Sequence, residues 1–220
     1  NPALLGKMAA MLHALSGVRL ILGIGAGWKE DEYQSYGYPY PSPGVRIAQL
    51  REAVELMRLM WTESPASYQG KYYQLDRAYC EPRFPTPPPV LIGGGGERKT
   101  LRVAAELADW WNIGFAPLDR YLEKVAILHR HCADVGRDPG EILLSYYTHL
   151  AIGKTPEQVE RIDPVRPNMR RIAGSPEEVA AELNGFIDNG VRHLMVKFAD
   201  YPSLDQYHLF MEEVVPRLHG

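Results

Sequence analysis

Residues 18–28 read VRLILGIGAGW, a short apolar run that ends in alternating glycines. An apolar run of this length that stops in glycine is typical of a buried parallel strand. Just before it, Leu5, Met8, Leu12 and Leu15 recur at helical spacing, and Asn1 is followed by a proline that suits the start of a helix. A helix that leads into a buried strand is one step of an alternating α/β chain.

The same alternation continues to the end of the chain. Further helices are predicted over residues 44–61, 97–107, 118–135, 156–162, 176–189 and 204–218, and strands over residues 18–24, 89–92, 110–113, 142–152 and 191–198. A small hairpin is predicted over residues 66–75. Strands separated by helices indicate an α/β fold with a parallel sheet under helices.

The composition of the 220 residues limits the classes of partner. Hydrophobic residues make up 45% and charged residues 23%, and the net charge is −3. The basic residues are dispersed, which argues against nucleic acid as a partner. No apolar run approaches the roughly 18 residues of a membrane span. Together with two cysteines far apart in sequence, Cys80 and Cys132, these features predict a cytoplasmic protein with free thiols.

Four consecutive glycines, Gly93, Gly94, Gly95 and Gly96, lie between a predicted strand and a predicted helix. Uncovered backbone N–H groups beside a helix start attract anions, so this second glycine segment is a candidate phosphate site. Thr100 would add a hydroxyl, and Arg98 or Lys99 would add charge. A tight turn without a ligand explains the glycines equally well.

Two common nucleotide motifs do not fit. A P-loop requires glycine immediately before Lys99, where Arg98 stands, and a dinucleotide-binding fingerprint requires glycine where Trp28 stands. The sequence therefore argues against nucleotide hydrolysis and against a dinucleotide-binding dehydrogenase.

The first glycine segment, Gly23–Trp28, has another use. Small residues at the end of a strand allow a flat ring to lie close to the backbone. Just beyond it come Glu30, Asp31, Glu32 and Tyr33, which would act on or orient a substrate. A solvated acidic start of a helix is the alternative interpretation.

Taken together, these stretches resemble the luciferase-like monooxygenase superfamily, and within it the branch that depends on coenzyme F420. The resemblance is carried by residues 16–20 and 23–28, Glu32-Tyr33, Tyr36-Gly37, Arg46, residues 50–53, 57–61, 70–73 and 88–94, Gly96-Glu97 and residues 108–112. The ordered match covers about residues 2–115, while residues 116–220 match in architecture only.

The resemblance implies a single domain over residues 1–220 that is part of a TIM (β/α)8 barrel. It would cover about strands 4 to 8, with residues 33–88 as a helix and loop insertion between strands 4 and 5. Residues 18–24, 90–92 and 193–198 would be the fourth, fifth and eighth strands. The first three strands have no counterpart here, and a complete barrel takes about 250 residues.

The resemblance also implies a function and a site. The function is hydride transfer between a reduced flavin or deazaflavin and a small organic substrate, with coenzyme F420 as cofactor and FMN as the alternative. Cofactor-binding residues would be Ala26, Gly27, Trp28, Gly93, Gly94, Gly95, Gly96 and Glu97, and catalytic residues would be Asp31 and Glu32. A homodimer is expected at the family level, and no metal site is expected.

Two other functions stay open at this point. A truncated or non-catalytic barrel fragment, acting as a flavin-binding or oligomerisation module, would explain the absent strands. A barrel enzyme that binds a phosphorylated sugar without flavin would keep the site at Gly93–Gly96.

Overall fold

The computed structural model of the chain describes residues 1–162 and 170–219. In order, the elements are α1 Pro2–Leu15, β1 Leu22–Ile24, α2 Glu30–Ser35, α3 Pro43–Thr62, β2 Ala66–Gln69, β3 Gln74–Ala78, β4 Val90–Gly93, α4 Thr100–Leu107, β5 Trp110–Gly114, α5 Leu118–Val135, β6 Leu143–Ile152, α6 Pro156–Ile162, β7 Ile172–Gly174, α7 Pro176–Asp188, β8 Val191–Phe198 and α8 Asp205–Leu209. The predicted α/β class with parallel strands is confirmed.

The described residues form two compact units. One contains residues 1–111 and 128–142, and the other contains residues 112–127, 143–162 and 170–219. The expectation of one barrel domain with an insertion at residues 33–88 stays a prediction.

In the first unit, β1 and β4 pair in parallel, with Leu22 opposite Val90 and Ile24 opposite Ile92. Helix α3 packs against α1, where the Trp61 indole N–H donates to the Gly6 carbonyl at 2.9 Å. A side chain at Gly6 would lie 3.3 Å from Met57, so glycine allows the two helices to approach closely. The buried residues Val54, Met57, Met60, Ile92, Leu101 and Trp111 form the core of this unit.

The second unit is built on β6, which pairs in parallel with both β7 and β8. Its core holds three aromatic side chains, with the Tyr146 and Phe186 rings stacked at 3.9 Å and Tyr121 edge-on to both. Helix α7 begins with a capping box in which Ser175 and Glu178 each accept a hydrogen bond from the other's backbone N–H.

Several predicted boundaries are corrected. Residues 18–21 lie outside β1. Gly17 and Val18, with positive φ of 67° and 64°, belong to the turn that ends α1. Strand β7 was missing from the prediction, since three residues are too few to show a periodic pattern. The last predicted helix is divided into α8, a wider turn at Phe210–Val214 and a tighter turn at Val215–Arg217, which contains Pro216.

Both cysteines are buried free thiols, as predicted. Within residues 1–162 and 170–219, no helix is long and apolar enough to cross a membrane.

Candidate functional site

The two glycine segments lie side by side at one edge of the first unit. Strands β1 and β4 are parallel neighbours, so the residues that follow Ile24 and Ile92 leave the pair at the same end. A side chain at Gly25 would lie 3.6 Å from the Gly93 carbonyl oxygen. The structure therefore brings together the two segments that the sequence analysis singled out.

A cavity of about 560 Å³, here called the glycine cavity, opens between these segments. Its lining includes Gly23–Trp28, Pro43, Arg46, Ile47, Leu91, Gly93–Gly96 and Thr100. All the predicted cofactor-binding residues except Glu97 line it. Glu97 is exposed, and its carbonyl oxygen lies 2.7 Å from the His131 ring nitrogen Nε2.

The second glycine segment has a backbone shape that only small residues tolerate. Gly94 has a φ of 124°, and a Cβ at Gly96 would lie 2.7 Å from the Thr100 hydroxyl oxygen. The Trp111 indole N–H donates to the Gly94 carbonyl at 3.0 Å and holds the turn in place. Each absent side chain leaves backbone accessible to a ligand.

Helix α4 begins at Thr100 and not at Glu97 as predicted. The Leu101 N–H reaches back five residues to the Gly96 carbonyl at 3.0 Å, so residues 97–99 form a wide turn before the helix. Arg98 and Lys99 are exposed and are not among the lining residues, although they were expected to supply charge.

The first glycine segment is shaped by Tyr33 from α2. Gly27 has a φ of 72°, and a Cβ there would overlap the Tyr33 hydroxyl and lie 2.9 Å from its Cζ atom. The Tyr40 hydroxyl donates to the Trp28 carbonyl at 2.8 Å. The Trp28 side chain itself lines the glycine cavity yet is 81% exposed, so its ring is available to a planar ligand.

Arg46, in the first turn of α3, supplies positive charge to the lining. It is only 9% exposed, its guanidinium carbon lies 3.9 Å above the Tyr40 ring, and its Nη1 donates to the Pro41 carbonyl. Among the described residues, Nε of Arg46 has no hydrogen-bond partner. Arg46 is one of the residues that carry the family resemblance, but the sequence alone indicates no role for it.

A second cavity of about 440 Å³, here called the side cavity, shares residues 24–26 and Arg46 with the first. Its other lining residues are Asn1, Pro2, Leu4, Leu5, Met8, Tyr33, Pro39, Pro41, Gln49, Leu50, Ala53 and Tyr73. The lining is mainly apolar, with two phenols, two amides and the Arg46 guanidinium as polar side-chain groups.

The predicted catalytic carboxylates lie outside both linings. Their side chains on α2 are 73% exposed for Asp31 and 59% exposed for Glu32. Both approach the ammonium group of Lys29, at 3.8 and 3.1 Å, and hydrogen bonding to Glu32 raises the pKa of Lys29. The structure brings Tyr33, and not its two acidic neighbours, to the glycine segments. A catalytic role for Asp31 and Glu32 stays a prediction.

The second unit also holds hydrogen-bonded polar side chains, which lie within its strands and not beyond their ends. The Asn112 amide donates to the Ser145 hydroxyl at 2.8 Å, and that hydroxyl lies 2.9 Å from Nδ1 of His193. Burial lowers the pKa of His193. Nearby, the Tyr147 hydroxyl lies 3.0 Å from Nε2 of His149. No group of three or more metal-ligating side chains is found in the described part of the chain.

Comparison with known proteins gives a family. The model of the luciferase-like monooxygenase family matches residues 1–169. An F420-dependent glucose-6-phosphate dehydrogenase of Segniliparus rotundus is 29% identical over 257 aligned residues, which cover 100% of this chain and 75% of that protein.

Two solved structures share the fold. An F420-dependent secondary alcohol dehydrogenase in complex with an F420-acetone adduct superposes with a TM-score of 0.87 at 20% identity, covering 100% of this chain and 76% of that one. A riboflavin lyase solved with modified FMN and riboflavin superposes with a TM-score of 0.76 at 16% identity, covering 98% and 67%.

Proposed function

The chain belongs to the luciferase-like monooxygenase family, and from that membership we propose that it is a deazaflavin-dependent oxidoreductase. It binds coenzyme F420, with FMN as the alternative cofactor, and transfers hydride between the reduced cofactor and a small organic substrate. The observation that carries the proposal is the meeting of two glycine segments, a buried arginine and an exposed tryptophan at one cavity.

The residues present fit such a cofactor. The glycine cavity of about 560 Å³ lies within the range of about 300–1,000 Å³ that small-molecule sites occupy. A Cβ at Gly96 would collide with Thr100, so the backbone there stays bare for close approach of a phosphate. The unpartnered Nε of Arg46 adds a buried donor.

The relatives favour F420 over FMN. The dehydrogenase of Segniliparus rotundus and the secondary alcohol dehydrogenase are both named as F420-dependent. The structure with modified FMN keeps FMN as the alternative. When bound, either cofactor supplies the hydride chemistry, and the protein supplies position and polarity.

Each part of the site has a proposed task. The N–H groups of Gly94, Gly95 and Gly96 bind the cofactor phosphate, with Glu97 at the edge of the turn. Ala26, Gly27 and Trp28 border the ring system, where the bare backbone lets it lie close. Asp31 and Glu32 are proposed to contact the substrate, which requires α2 to rearrange because both face solvent.

The finer architecture is also a proposal. β1, β4 and β8 correspond to the fourth, fifth and eighth strands of a (β/α)8 barrel, and residues 33–88 form an insertion in a single domain. The protein acts in the cytoplasm as a homodimer, on a small-molecule substrate, without nucleic acid or membrane. Light scattering of the purified chain tests the dimer.

Titration of the chain with coenzyme F420 and with FMN, followed by absorbance, tests the proposal. We expect saturable binding, tighter for F420. Binding of neither cofactor would refute the deazaflavin assignment and leave the enzyme for phosphorylated sugars, whereas a yellow chromophore retained through purification would exclude that alternative.

The second candidate function is a non-catalytic flavin-binding or oligomerisation module. It is favoured by one observation, namely that neither predicted catalytic carboxylate lines the glycine cavity or the side cavity. Flavin binding without cofactor reduction by any of a panel of alcohols and sugar phosphates would support this module over the enzyme.

A further inference from the structure

We infer that Arg46 recognises a phosphate group in the glycine cavity. The inference deepens the proposed function and rests on it for the identity of the ligand. The positive charge of the site then comes from Arg46 on α3, and not from the turn at residues 97–99 that follows the second glycine segment.

Arg46 carries a charge that is largely withdrawn from water. An arginine is always charged, and a charge taken out of water is costly unless a counter-charge and hydrogen bonds replace the water. Arg46 is 9% exposed, yet its recorded partners are neutral, namely the Pro41 carbonyl and the Tyr40 ring. No carboxylate forms an ion pair with it among the described residues. An anionic ligand would complete the site.

The position of the Arg46 guanidinium also suits an oxyanion. Arg46 lines the same cavity as the bare backbone of Gly94 and Gly96. The stack on Tyr40 and the bond to Pro41 hold the guanidinium in place, and Nε remains without a partner. A planar guanidinium held in this way loses little freedom when it binds an oxyanion with two parallel hydrogen bonds.

The two cations that follow the glycines most closely along the chain do not line the glycine cavity. Arg98 and Lys99 immediately follow the glycines but are exposed and absent from the lining. The Lys99 ammonium lies instead near Gly44, 3.0 Å from where a Cβ would stand. Arg98 therefore provides a matched control, because it carries the same charge at the edge of the same turn.

Arg46 also lines the side cavity, so the phosphate has two possible sources. It belongs either to the cofactor or to a phosphorylated substrate bound beside it. Both sources present the same chemistry to the guanidinium, and binding experiments separate them.

The test compares FMN with riboflavin, which differ only by the phosphate, on the wild type, Arg46→Met, Arg46→Lys and Arg98→Met. For Arg46→Met we expect FMN affinity to fall about 10- to 100-fold, as for loss of a charge-assisted hydrogen bond, with riboflavin affinity unchanged. Arg46→Lys should lose less of the FMN affinity, and Arg98→Met should bind FMN as tightly as the wild type does. Unchanged riboflavin affinity also shows that the variant is folded.

An equal loss of FMN and riboflavin affinity would overturn the inference. So would no loss for either flavin together with no Arg46-dependent binding of inorganic phosphate. Binding of inorganic phosphate then shows whether the phosphate group belongs to the cofactor or to the substrate. Arg46-dependent phosphate binding that saturating FMN abolishes assigns the group to the cofactor, and binding that persists on the FMN-loaded protein assigns it to the substrate. Arg46-dependent phosphate binding without any flavin binding would support the inference and refute the proposed function.

Discussion

Replacing Gly27 with alanine tests whether the first glycine segment is shaped by its contact with Tyr33. At Gly27 the φ of 72° is a left-handed conformation, and the position of a Cβ is already occupied by the Tyr33 hydroxyl. Gly37 offers a matched control, because its φ is 70° and nothing lies within 4 Å of its Cβ position. The two substitutions differ in the overlap alone.

Two contributions set the expected loss of stability, namely the left-handed backbone conformation and the overlap with Tyr33. A left-handed alanine costs about 1–2 kcal/mol, and this cost applies to both variants. The overlap with Tyr33 adds about 1–3 kcal/mol, the usual cost of overpacking. Part of this cost arises because a displaced Tyr33 would lose its edge-on contact with Tyr40, whose ring centroid lies 5.0 Å away. We therefore expect Gly27→Ala to lower the free energy of unfolding by about 1–3 kcal/mol more than Gly37→Ala.

Urea denaturation measures the free energy of unfolding of both variants. The midpoints are compared where the dependence on urea concentration keeps the same slope. The double variant Gly27→Ala, Tyr33→Phe should recover part of the extra loss, because the hydroxyl is removed while the Tyr33 Cζ and Cε2 positions remain within 2.9 and 3.0 Å of the new Cβ. Equal losses for Gly27→Ala and Gly37→Ala, or no recovery in the double variant, would refute the reasoning.

Two further predictions concern stability. The Glu52 carboxylate accepts hydrogen bonds from the backbone N–H groups of residues 71, 72 and 73 at 2.9, 2.7 and 3.1 Å. Glu52→Gln should therefore lower the free energy of unfolding, measured from the urea midpoint, by about 1–3 kcal/mol. An equal effect of Glu63→Gln, at an exposed position, would contradict this. Burial lowers the pKa of His193 below 6.5, so on acidification the His193 imidazole is protonated more readily in the unfolded chain than in the folded one. The free energy of unfolding should therefore fall as the pH drops below about 6.5. His193→Gln should flatten that dependence relative to His208→Gln, as followed by thermal unfolding at pH 5 to 8.

The sequence predicted those parts of the fold that depend on local pattern. Helices α3 and α5 and strands β6 and β8 are long and periodic, and their predicted positions agree with the structure to within a few residues. The glycine segments were found because glycine at the end of a strand is itself a conformational signal. Strand β7 could not be found, since its three residues are too few to show a periodic pattern.

The chemistry of the site was harder to predict than its backbone. Sequence reasoning selected charges by their proximity along the chain, namely Asp31, Glu32, Arg98 and Lys99. All four are exposed, because a side chain that is next to a turn in sequence faces solvent unless something packs over it. Arg46 is buried because Tyr40 and Pro41 enclose it, and that contact depends on the path of the Pro-rich loop before α3.

This difference bears on how the site binds a ligand. A phosphate held by the glycine turn alone would contact residues 94–96, whereas one also held by Arg46 contacts residues about fifty positions apart. Tyr40 links Arg46 to the Trp28 carbonyl, and Tyr33 packs against both Tyr40 and Gly27. Binding at the phosphate end would therefore also order the residues proposed to border the ring. The position of the ring then depends on the same tyrosines that hold the arginine, although neither tyrosine needs to touch the cofactor.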